Sequence, residues 1–422
     1  MSDTTTNRGQ SAARQTWAAL PYHRTWLIEQ ASSLFAFFEQ NSIDPKGGFF
    51  ALDDEGRPIE RSAATGKAPV REIPFTARMV HCFAIARLLG RPGAEAFIDH
   101  GMTFLWDAHR DRRNGGYFWG VGDSGPSDAS KQAYGHAFVL LAASSAKVAG
   151  HPDADRLIAD ITEVLQTRFW EKRHGASAEE FDADWKPISR YRGQNSNMHL
   201  TEALMAAFEA TGEAAYLEMA ESIATLVIGK LAGANGWRVA EHFDEDWQLD
   251  RDYSGGDIFR PAGTTPGHSL EWTRLCLQLW ELGGRRLAWL PDAARALFGR
   301  AVAEGWNGEE GGFHYTLDWA GAPLLRNRLW WPCAEGIGAA HFLSAIDGAR
   351  EYEDWYRRIW DFVASRLIDR QNGGWRPEPE DAKAAPLFEG KPDIYHALQA
   401  CLIPLLPTSG SITRCLATAG LR

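Results

Sequence analysis

Gly47-Gly48-Phe49 is the first of six short glycine turns that recur along this chain of 422 residues. The other five are Gly115-Gly116-Tyr117, His174-Gly175-Ala176, Asn235-Gly236-Trp237, Gly311-Gly312-Phe313 and Gly373-Gly374-Trp375. Counted from the second or only glycine of each turn, the spacings are 68, 59, 61, 76 and 62 residues. A period of this length leaves room for two helices per unit and indicates a repeated helical hairpin. Six hairpins predict an all-α (α/α)6 barrel, a toroid of inner and outer helices with short β-hairpins in its loops.

Helix-length segments with apolar residues at helical spacing lie between the turns. The inner helices are predicted near residues 75–89, 132–149, 196–210, 267–282, 333–346 and 393–405. Several of these segments are followed by a glycine, which is common just after a helix ends. We expect residues 1–15 to be a disordered leader, residues 16–406 to form a single catalytic barrel domain, and residues 407–422 to be a frayed C-terminal tail.

Composition argues against several classes of function. The formal net charge is −11 and no stripe of Lys and Arg is present, so nucleic acid is not an expected partner. No apolar run approaches the roughly 18 residues of a membrane span, and the N-terminus lacks the apolar core of a signal peptide. The five cysteines are scattered, with no CxxC pair to indicate zinc or redox chemistry. These features predict a cytoplasmic enzyme, and its eighteen tryptophans suit a cavity that binds a sugar.

Polar and ionisable residues recur near the start of each predicted inner helix. They are Arg78, His136, His199, His268 with Glu271, Glu335 and His396. Taking His268 for the fourth unit, the gaps are 58, 63, 69, 67 and 61 residues, which follow the period of the fold. In a closed toroid this spacing brings the polar groups of all six units to one end of one axis. Burial of such groups is unfavourable unless they are paired or functional, so the pattern predicts an active site there.

Structural interpretations compete with this one at each position. His136 is more readily a hydrogen-bonded core histidine than a catalyst, and Arg78 alone would suit a salt bridge. Glu335 is balanced between a structural ion pair and a substrate contact. His268 and Glu271 stand at i and i+3 on one helical face, where the carboxylate could orient the imidazole. The joint pattern is much stronger evidence than any single residue.

Five segments resemble a known family. They are Asn195-Ser-Asn-Met-His-Leu-Thr-Glu-Ala, Arg260-Pro-Ala-Gly-Thr-Thr-Pro-Gly-His-Ser-Leu-Glu-Trp, Lys391-Pro-Asp-Ile-Tyr-His-Ala-Leu-Gln, Thr76-Ala-Arg-Met-Val-His and Trp330-Trp-Pro-Cys-Ala-Glu. Together they resemble the N-acylglucosamine 2-epimerase superfamily over about residues 16–405, and the Pro-Gly-His-x-x-Glu-Trp piece is the most specific. The resemblance implies an (α/α)6 barrel that interconverts sugars at C1 and C2 without a metal, as a 2-epimerase or an aldose–ketose isomerase.

The resemblance also implies roles for individual residues. It makes His268 and His396 the acid/base pair, with Glu271 as the partner of His268. The residues expected to bind substrate or stabilise an enediolate are Arg78, Asn195, His199 and Arg260, and we add Tyr134, Glu335 and Trp331 as further substrate-binding candidates. No metal and no cofactor are expected, because an arginine and two histidines can remove a proton next to a carbonyl and stabilise the resulting charge.

The segment before the last histidine bears on the substrate. Glu389-Gly-Lys-Pro-Asp-Ile-Tyr stands where the cellobiose 2-epimerase branch has a Trp-containing stretch, and it resembles the D-mannose and sulfoquinovose isomerase branch instead. We therefore predict a metal-independent aldose–ketose isomerase that acts on a monosaccharide, interconverting D-mannose and D-fructose, with D-lyxose and D-xylulose as side substrates. A monomer or a homodimer is expected.

Other functions stay open at this point. A sugar 2-epimerase of the cellobiose or N-acylglucosamine type is compatible with two histidines, since they could deliver a proton to either face of C2, and so is a sulfoquinovose isomerase. Inverting glycosidases share the toroid but need two carboxylates roughly 6.5–9.5 Å apart, whereas histidines dominate here. A non-catalytic sugar-binding module and a zinc site made by His199, His268 and His396 are more remote.

Overall fold

A computed structural model describes residues 15–61, 70–255 and 258–419. Of the expected N-terminal leader, residues 1–14 lie outside the described residues. The described residues form thirteen α-helices. They are α1 (Pro21–Asn41), α2 (Ile73–Leu88), α3 (Ala94–Phe104), α4 (Ala133–Val148), α5 (Ala154–Val164), α6 (Gln194–Thr211), α7 (Ala214–Ala224), α8 (Pro266–Leu282), α9 (Leu290–Gly305), α10 (Trp330–Asp347), α11 (Arg350–Arg366), α12 (Tyr395–Leu402) and α13 (Ile412–Ala419).

Short strands occupy the connections that lead into the inner helices. They are β1 (Arg71–Glu72), β2 (Gly120–Gly122), β3 (Gly125–Asp128), β4 (Lys131–Gln132), β5 (Trp170–Glu171), β6 (Ala176–Ser177), β7 (Glu180–Phe181), β8 (Arg192–Gly193), β9 (His242–Phe243), β10 (Thr316–Leu317) and β11 (Pro323–Leu325). They pair antiparallel in the orders β1-β2-β3, β4-β7, β5-β6, β8-β9 and β10-β11. The sheets are therefore small additions to the loops of a helical protein, as predicted.

Six helices form a closed inner ring. Helices α2, α4, α6, α8, α10 and α12 each contact the next in this order, and α12 contacts α2. Helices α3, α5, α7, α9 and α11 pack outside, each against the inner helix that precedes it, and α1 packs against α12. The first helix thus packs on the last inner helix, which joins the two ends of the chain into one toroid. The predicted (α/α)6 barrel is confirmed.

The burial of side chains separates the two rings. Nearly every side chain of α4 is buried, and its many alanines, such as Ala137 and Ala142, allow neighbouring backbones to approach closely. In the outer helix α5, burial follows helical spacing, with Leu157 and Ile161 facing the core. None of the helices within residues 15–61, 70–255 and 258–419 has the length and apolar character needed to cross a membrane.

Four of the glycine turns are tied to the following inner helix by an ion pair, which is buried in three of them and half-buried for Arg192–Glu171. The pairs are Arg71–Asp44, Lys131–Asp111, Arg192–Glu171 and Lys391–Asp369. In the second unit, Lys131 Nζ donates to Asp111 Oδ2 at 2.8 Å, two residues before α4 begins. Gly115 and Gly116 have φ of 75° and 74°, a conformation that favours glycine, so the turn can fold back toward the lysine. In these four units the ion pair ties the glycine turn to the residues just before the inner helix, and so helps to set where that helix starts.

The inner helices begin within three residues of their predicted starts. The last one is shorter than predicted, because α12 ends at Leu402 and the chain continues as a 3₁₀ turn over Ile403–Leu405. The C-terminal segment differs more. A frayed tail is expected over residues 407–422, yet Ile412–Ala419 forms α13, which packs against α2, α4 and α6. Its Ile412, Cys415 and Leu416 are buried at helical spacing, which is the pattern that the sequence prediction overlooked. The division into one domain and two terminal segments stays a prediction.

Candidate active site

The starts of the inner helices surround one cavity of about 980 Å³. All six inner helices contribute side chains to its wall, together with the loops over residues 44–60 and 388–393. The predicted site residues that line it are Arg78, Tyr134, Asn195, His199, His268, Glu271, Trp331 and His396. Eight of the ten predicted site residues therefore share one cavity, and Glu335 and Arg260 are the two that do not.

His268 lies in the first turn of α8, just after Pro266, a residue that suits the first helical position because no intrahelical N–H bond is lost. Its Nδ1 donates to the carboxylate of Glu241, with Oε1 at 2.9 Å and Oε2 at 3.0 Å. Gln194 Nε2 donates to Oε2 of the same carboxylate at 2.7 Å. With Nδ1 occupied in this way, Nε2 is the nitrogen that His268 can offer to a ligand.

Glu241 therefore takes the position that the sequence analysis assigned to Glu271 as the partner of His268. The i, i+3 spacing did not predict the contact, because a carboxylate from the preceding β-hairpin loop reaches Nδ1 first. Burial opposes ionisation of Glu241, but His268 and Gln194 outweigh it and hold the pKa of Glu241 below its ordinary value.

His396 has a carboxylate partner of its own at the start of α12. Its Nδ1 donates to Glu335 Oε1 at 2.8 Å. Glu335 is 2% exposed and does not line the cavity, so it lies behind the histidine, and its predicted contact with substrate stays a prediction. Both histidines thus have Nδ1 held by a buried carboxylate, which is the arrangement of a positioned general base.

Trp331 stands between the two histidines. Its ring centroid is 5.0 Å from that of His268 and 5.7 Å from that of His396. A Cβ atom on Gly267 would lie 2.4 Å from the indole, so glycine is required for this close approach. The Pro-Gly-His segment therefore places an aromatic face in the cavity beside both histidines, where it can pack against the apolar face of a sugar.

Arg78 supplies a positive charge to the cavity from α2, the inner helix next to α12. Its Nη1 donates to Asp393 Oδ2 and its Nη2 to the hydroxyl of Tyr134, both at 2.7 Å. The guanidinium carbon lies 4.4 Å from the ring centroid of Phe138. Burial raises the pKa of Tyr134 to about 12, so this phenol is neutral. One carboxylate and one ring hold Arg78 in place, while its Nε has no hydrogen-bond partner among the described residues.

His199 and Glu271 line the cavity side by side. His199 Nδ1 is 3.6 Å from Glu271 Oε1, and neither this nitrogen nor either carboxylate oxygen has a hydrogen-bond partner within the described residues. Burial, followed by the positive charge of Arg78, lowers the pKa of His199 well below its ordinary value. Burial, followed by the charge of Glu335, raises the pKa of Glu271 well above its ordinary value. The imidazole of His199 is therefore neutral near pH 7, the acid form of Glu271 is favoured, and the free polar atoms of both side chains can bind sugar hydroxyls.

A cation already occupies the place where a metal would be sought. His199 and Glu202 with Glu271, and His396 and Glu335 with Glu271, bring possible ligand atoms within 4.8 Å of one another. The guanidinium of Arg274 lies among these carboxylates, 3.2 Å from both Glu335 and Glu202. We interpret Glu202 and Glu335 as ion-pair partners of Arg274 rather than as metal ligands, because a second cation would be repelled.

The two remaining substrate-binding candidates lie on or beyond the rim. Asn195 lines the cavity, and its Nδ2 donates to the backbone oxygen of Phe259 at 3.3 Å. Arg260 is in an adjoining cleft, where its Nη2 donates to Glu180 at 2.9 Å and approaches Glu179 at 3.5 Å. The cleft shares Tyr134, Asn195 and Phe259 with the main cavity, and the substrate contact of Arg260 stays a prediction.

His136 has the structural role that its sequence context favoured. Its Nδ1 donates to the backbone oxygen of Gln132 at 2.7 Å, and its Nε2 accepts from the backbone N–H of Tyr117 at 3.0 Å. Burial lowers the pKa of His136 to about 4, so it is a neutral core group. It does not line the cavity.

Comparisons with known proteins agree with this site. The family model of N-acylglucosamine 2-epimerase (GlcNAc 2-epimerase) matches residues 47–400. The chain belongs to the N-acylglucosamine 2-epimerase family. It is 44% identical to a D-mannose isomerase of Pseudomonas cannabina pv. alisalensis, over 95% of this chain and 97% of the relative. It is 42% identical to a D-mannose isomerase of Thermobifida fusca, over 96% and 99%. A crystal structure of D-mannose isomerase superposes with a TM-score of 0.85 at 32% identity, covering 92% of this chain and 99% of that chain.

The family resemblance inferred from the five segments is thus confirmed. In this member of the N-acylglucosamine 2-epimerase family, sequence reasoning missed Glu241, Asp393 and Arg274 at the site. The sequence held a signal for Glu241, because it stands 62 residues after Glu179, in step with the repeat. In the structure the backbone oxygen of each accepts from the first N–H of an inner helix, α4 for Glu179 and α6 for Glu241. Asp393 lies inside a motif that was recognised, but its ion pair with Arg78 joins residues 315 positions apart. Nothing in the local sequence pairs such distant groups.

Proposed function

We propose that this chain is a sugar isomerase that interconverts D-mannose and D-fructose. The observation that carries the proposal is the pair of histidines on one cavity wall, each with Nδ1 held by a buried carboxylate and both beside Trp331. The near full-length similarity to two D-mannose isomerases supports the choice of sugar.

The reaction begins with ring opening, because mannose is mostly a closed pyranose. One group must remove the proton of the O1 hydroxyl while a proton is delivered to O5, which breaks the C1–O5 bond and leaves an aldehyde at C1. We assign this step to His268. Its Nδ1 is anchored by Glu241, so its Nε2 can accept one proton and return it to the other oxygen.

Proton transfer between C2 and C1 follows. We assign the removal of the C2 proton to Nε2 of His396, which forms a cis-enediolate as the C1 oxygen gains negative charge. The same proton, or one from solvent, is then delivered to C1. The O2 hydroxyl loses its proton, O1 gains one, and the carbonyl ends at C2. The negative charge on Glu335 stabilises the imidazolium that His396 becomes during the transfer.

Arg78 is suited to stabilise the enediolate. It is permanently charged, it lines the cavity, and two partners keep its guanidinium in a fixed position. A charge that is already oriented does not have to reorganise when the oxyanion develops. His199 and Glu271 then bind hydroxyls of the sugar through their free polar atoms.

The loop before α12 bears on sugar size. Phe388, Glu389, Pro392 and Asp393 all line the cavity, so the segment that sets this chain apart from the cellobiose 2-epimerase branch forms part of the substrate wall. We propose on this basis that monosaccharides are preferred over disaccharides. We further propose that catalysis needs no metal, that D-lyxose and D-xylulose are side substrates, and that the enzyme is a cytoplasmic monomer or homodimer.

The test is to incubate the protein with D-mannose, D-glucose, cellobiose and sulfoquinovose in deuterated water and to follow the products by NMR. D-fructose from D-mannose as the fastest reaction is the expected result. Fast 2-epimerisation of cellobiose with negligible ketose from mannose would assign the chain to the epimerases, and preference for sulfoquinovose would replace mannose as the substrate.

Role assignment needs a second measurement. His268→Asn and His396→Asn should each lower kcat by about 10²–10⁴-fold, whereas His341→Asn, away from the cavity, serves as the control. The His396 variant should also lose exchange of the C2 proton with solvent. If it still exchanges C2 at the wild-type rate while His268→Asn does not, the two roles are reversed.

A further inference from the structure

Arg274 is a buried cation with no place in the mechanism described so far. It lies on α8, two turns beyond His268, is 1% exposed and does not line the catalytic cavity. Burial of a guanidinium is strongly unfavourable unless charged partners surround it. The burial of Arg274 therefore calls for an explanation, which we look for in its contacts.

The guanidinium of Arg274 lies among three carboxylates. Its Nε donates to Glu335 Oε2 at 3.2 Å, and its Nη1 donates to Glu202 Oε1 at 3.2 Å. Its Nη2 is 3.7 Å from Glu271 Oε1, too far for a hydrogen bond. Its Nη1 also donates to Gln278 Oε1 at 2.9 Å, which anchors it to the next turn of α8. The cation is thus shared among partners on three different inner helices.

One of these carboxylates leads directly to the proposed catalytic base. Glu335 accepts from Arg274 on Oε2 and from His396 Nδ1 on Oε1. Both oxygens of one carboxylate are therefore used, so its orientation is set from two sides. Removal of Arg274 would leave Glu335 free to rotate and would leave a buried charge without its cation.

Other ionisable groups face the same cluster from the surrounding helices. They are Arg78 and His81 on α2, His199, Glu202 and Glu209 on α6, Glu271 on α8, Glu335 on α10, and Tyr395 and His396 on α12. The hydroxyl of Tyr395 donates to Glu202, so Glu202 has a partner besides Arg274. Glu335 accepts from Arg274 and His396 instead, and these two groups lower its pKa.

We propose that Arg274 is a positioning residue for the isomerisation: it holds Glu335 in place and ionised behind His396, while Glu202 and Glu271 complete the surroundings of the cation. The proposal rests on the proposed function in that it takes His396 as the base. It adds a residue that never touches the sugar but determines how well the base works.

The charges of the two neighbouring acids support this role. Burial opposes ionisation of Glu335, but Arg274, and then His396, outweigh it and hold the pKa of Glu335 below its ordinary value. Glu271, which lacks a close donor, has its pKa raised by burial and by the charge of Glu335. Arg274 thus keeps Glu335 charged behind the base, while Glu271, which accepts no hydrogen bond among the described residues, keeps a raised pKa.

Arg274→Met and Arg274→Lys test the proposal in steady-state kinetics with D-mannose. In Arg274→Met the pKa of Glu335 rises, so the ionised form is lost at a higher pH on acidification. The acidic limb of the pH profile of kcat/KM should therefore move up by about one unit. We expect kcat to fall about 10- to 100-fold, as for a misplaced catalytic group, with KM little changed because Arg274 does not contact the sugar.

The lysine variant separates charge from geometry. Arg274→Lys keeps a positive charge, so the acidic limb should stay in place, but one ammonium cannot bind Glu335 and Glu202 as a guanidinium does, and kcat should fall. This variant decides the matter if Arg274→Met does not fold. Glu202→Gln is the matched control: it removes a carboxylate that competes for the cation, so the acidic limb should not move up. Wild-type kcat in Arg274→Lys, or an unmoved limb in folded Arg274→Met, would overturn the proposal.

A measurement without substrate separates this proposal from the proposed function. The carboxyl ¹³C signal of Glu335, assigned by its absence in Glu335→Gln, can be followed against pH in wild type and in the Arg274 variants. A titration that moves to higher pH in Arg274→Met supports the role of Arg274 even if the wild-type protein does not convert D-mannose. An unchanged titration refutes it even if the protein is an active mannose isomerase.

Discussion

Glu241→Gln is the most direct test of how the carboxylates serve the histidines. The substitution keeps the size of the side chain but removes the charge that accepts from His268 Nδ1 at 2.9 and 3.0 Å. A hydrogen bond to a charged group is worth about 1.5–3 kcal/mol. If that amount is lost only when His268 carries the extra proton, the rate falls by about 10- to 150-fold, since each 1.36 kcal/mol is tenfold.

The assay is the initial rate of D-fructose formation from D-mannose, with kcat and KM measured separately. The loss should be in kcat, because Glu241 does not line the cavity and so does not contact the sugar. Glu353→Gln on α11 is the control, since Glu353 is also buried and hydrogen-bonded, to the Trp17 N–H at 2.9 Å, but on the outer ring. An unchanged kcat in folded Glu241→Gln would refute the view that this carboxylate supports His268.

Three further predictions address metal, charge and fold. Activity should survive exhaustive dialysis against EDTA, and a loss that zinc or manganese restores would show that a metal takes part. Glu271→Gln should gain thermal stability relative to wild type, measured as the difference in Tm, as the pH is raised from 5 to 8. The pKa of Glu271 is raised in the fold, so the stability that this group contributes is full below about pH 4.5, the ordinary value for Glu, and is lost as the pH rises through the folded-state pKa. A difference in Tm that stays constant would show that Glu271 is ionised throughout. Lys131→Met should lower the free energy of unfolding by about 3–5 kcal/mol, since it leaves Asp111 buried without its cation, and urea denaturation with an unchanged midpoint would argue against the ion pair as a lock for the glycine turn.

Much of the fold was accessible from the sequence, because its signals are local and repeated. Each glycine turn needs backbone angles that glycine adopts readily, and apolar residues at helical spacing predict each inner helix. The period then placed one set of polar residues at the start of every inner helix. Closure of the ring follows from six such units, so the convergence of Arg78, His199, His268 and His396 on one cavity could be predicted without knowing a single contact.

Only the tertiary structure decided which groups are partners. Glu241 reaches His268 across 27 residues, Glu335 reaches His396 across 61, and Asp393 reaches Arg78 across 315. Hydrogen bonding depends on distances of about 3 Å, whereas a sequence period locates a residue only to within a turn of helix. The chain by itself therefore determined the barrel, the end at which the site lies and the kinds of residue there; packing determined which carboxylate holds each histidine, and that Arg274 lies where a metal might otherwise have been sought.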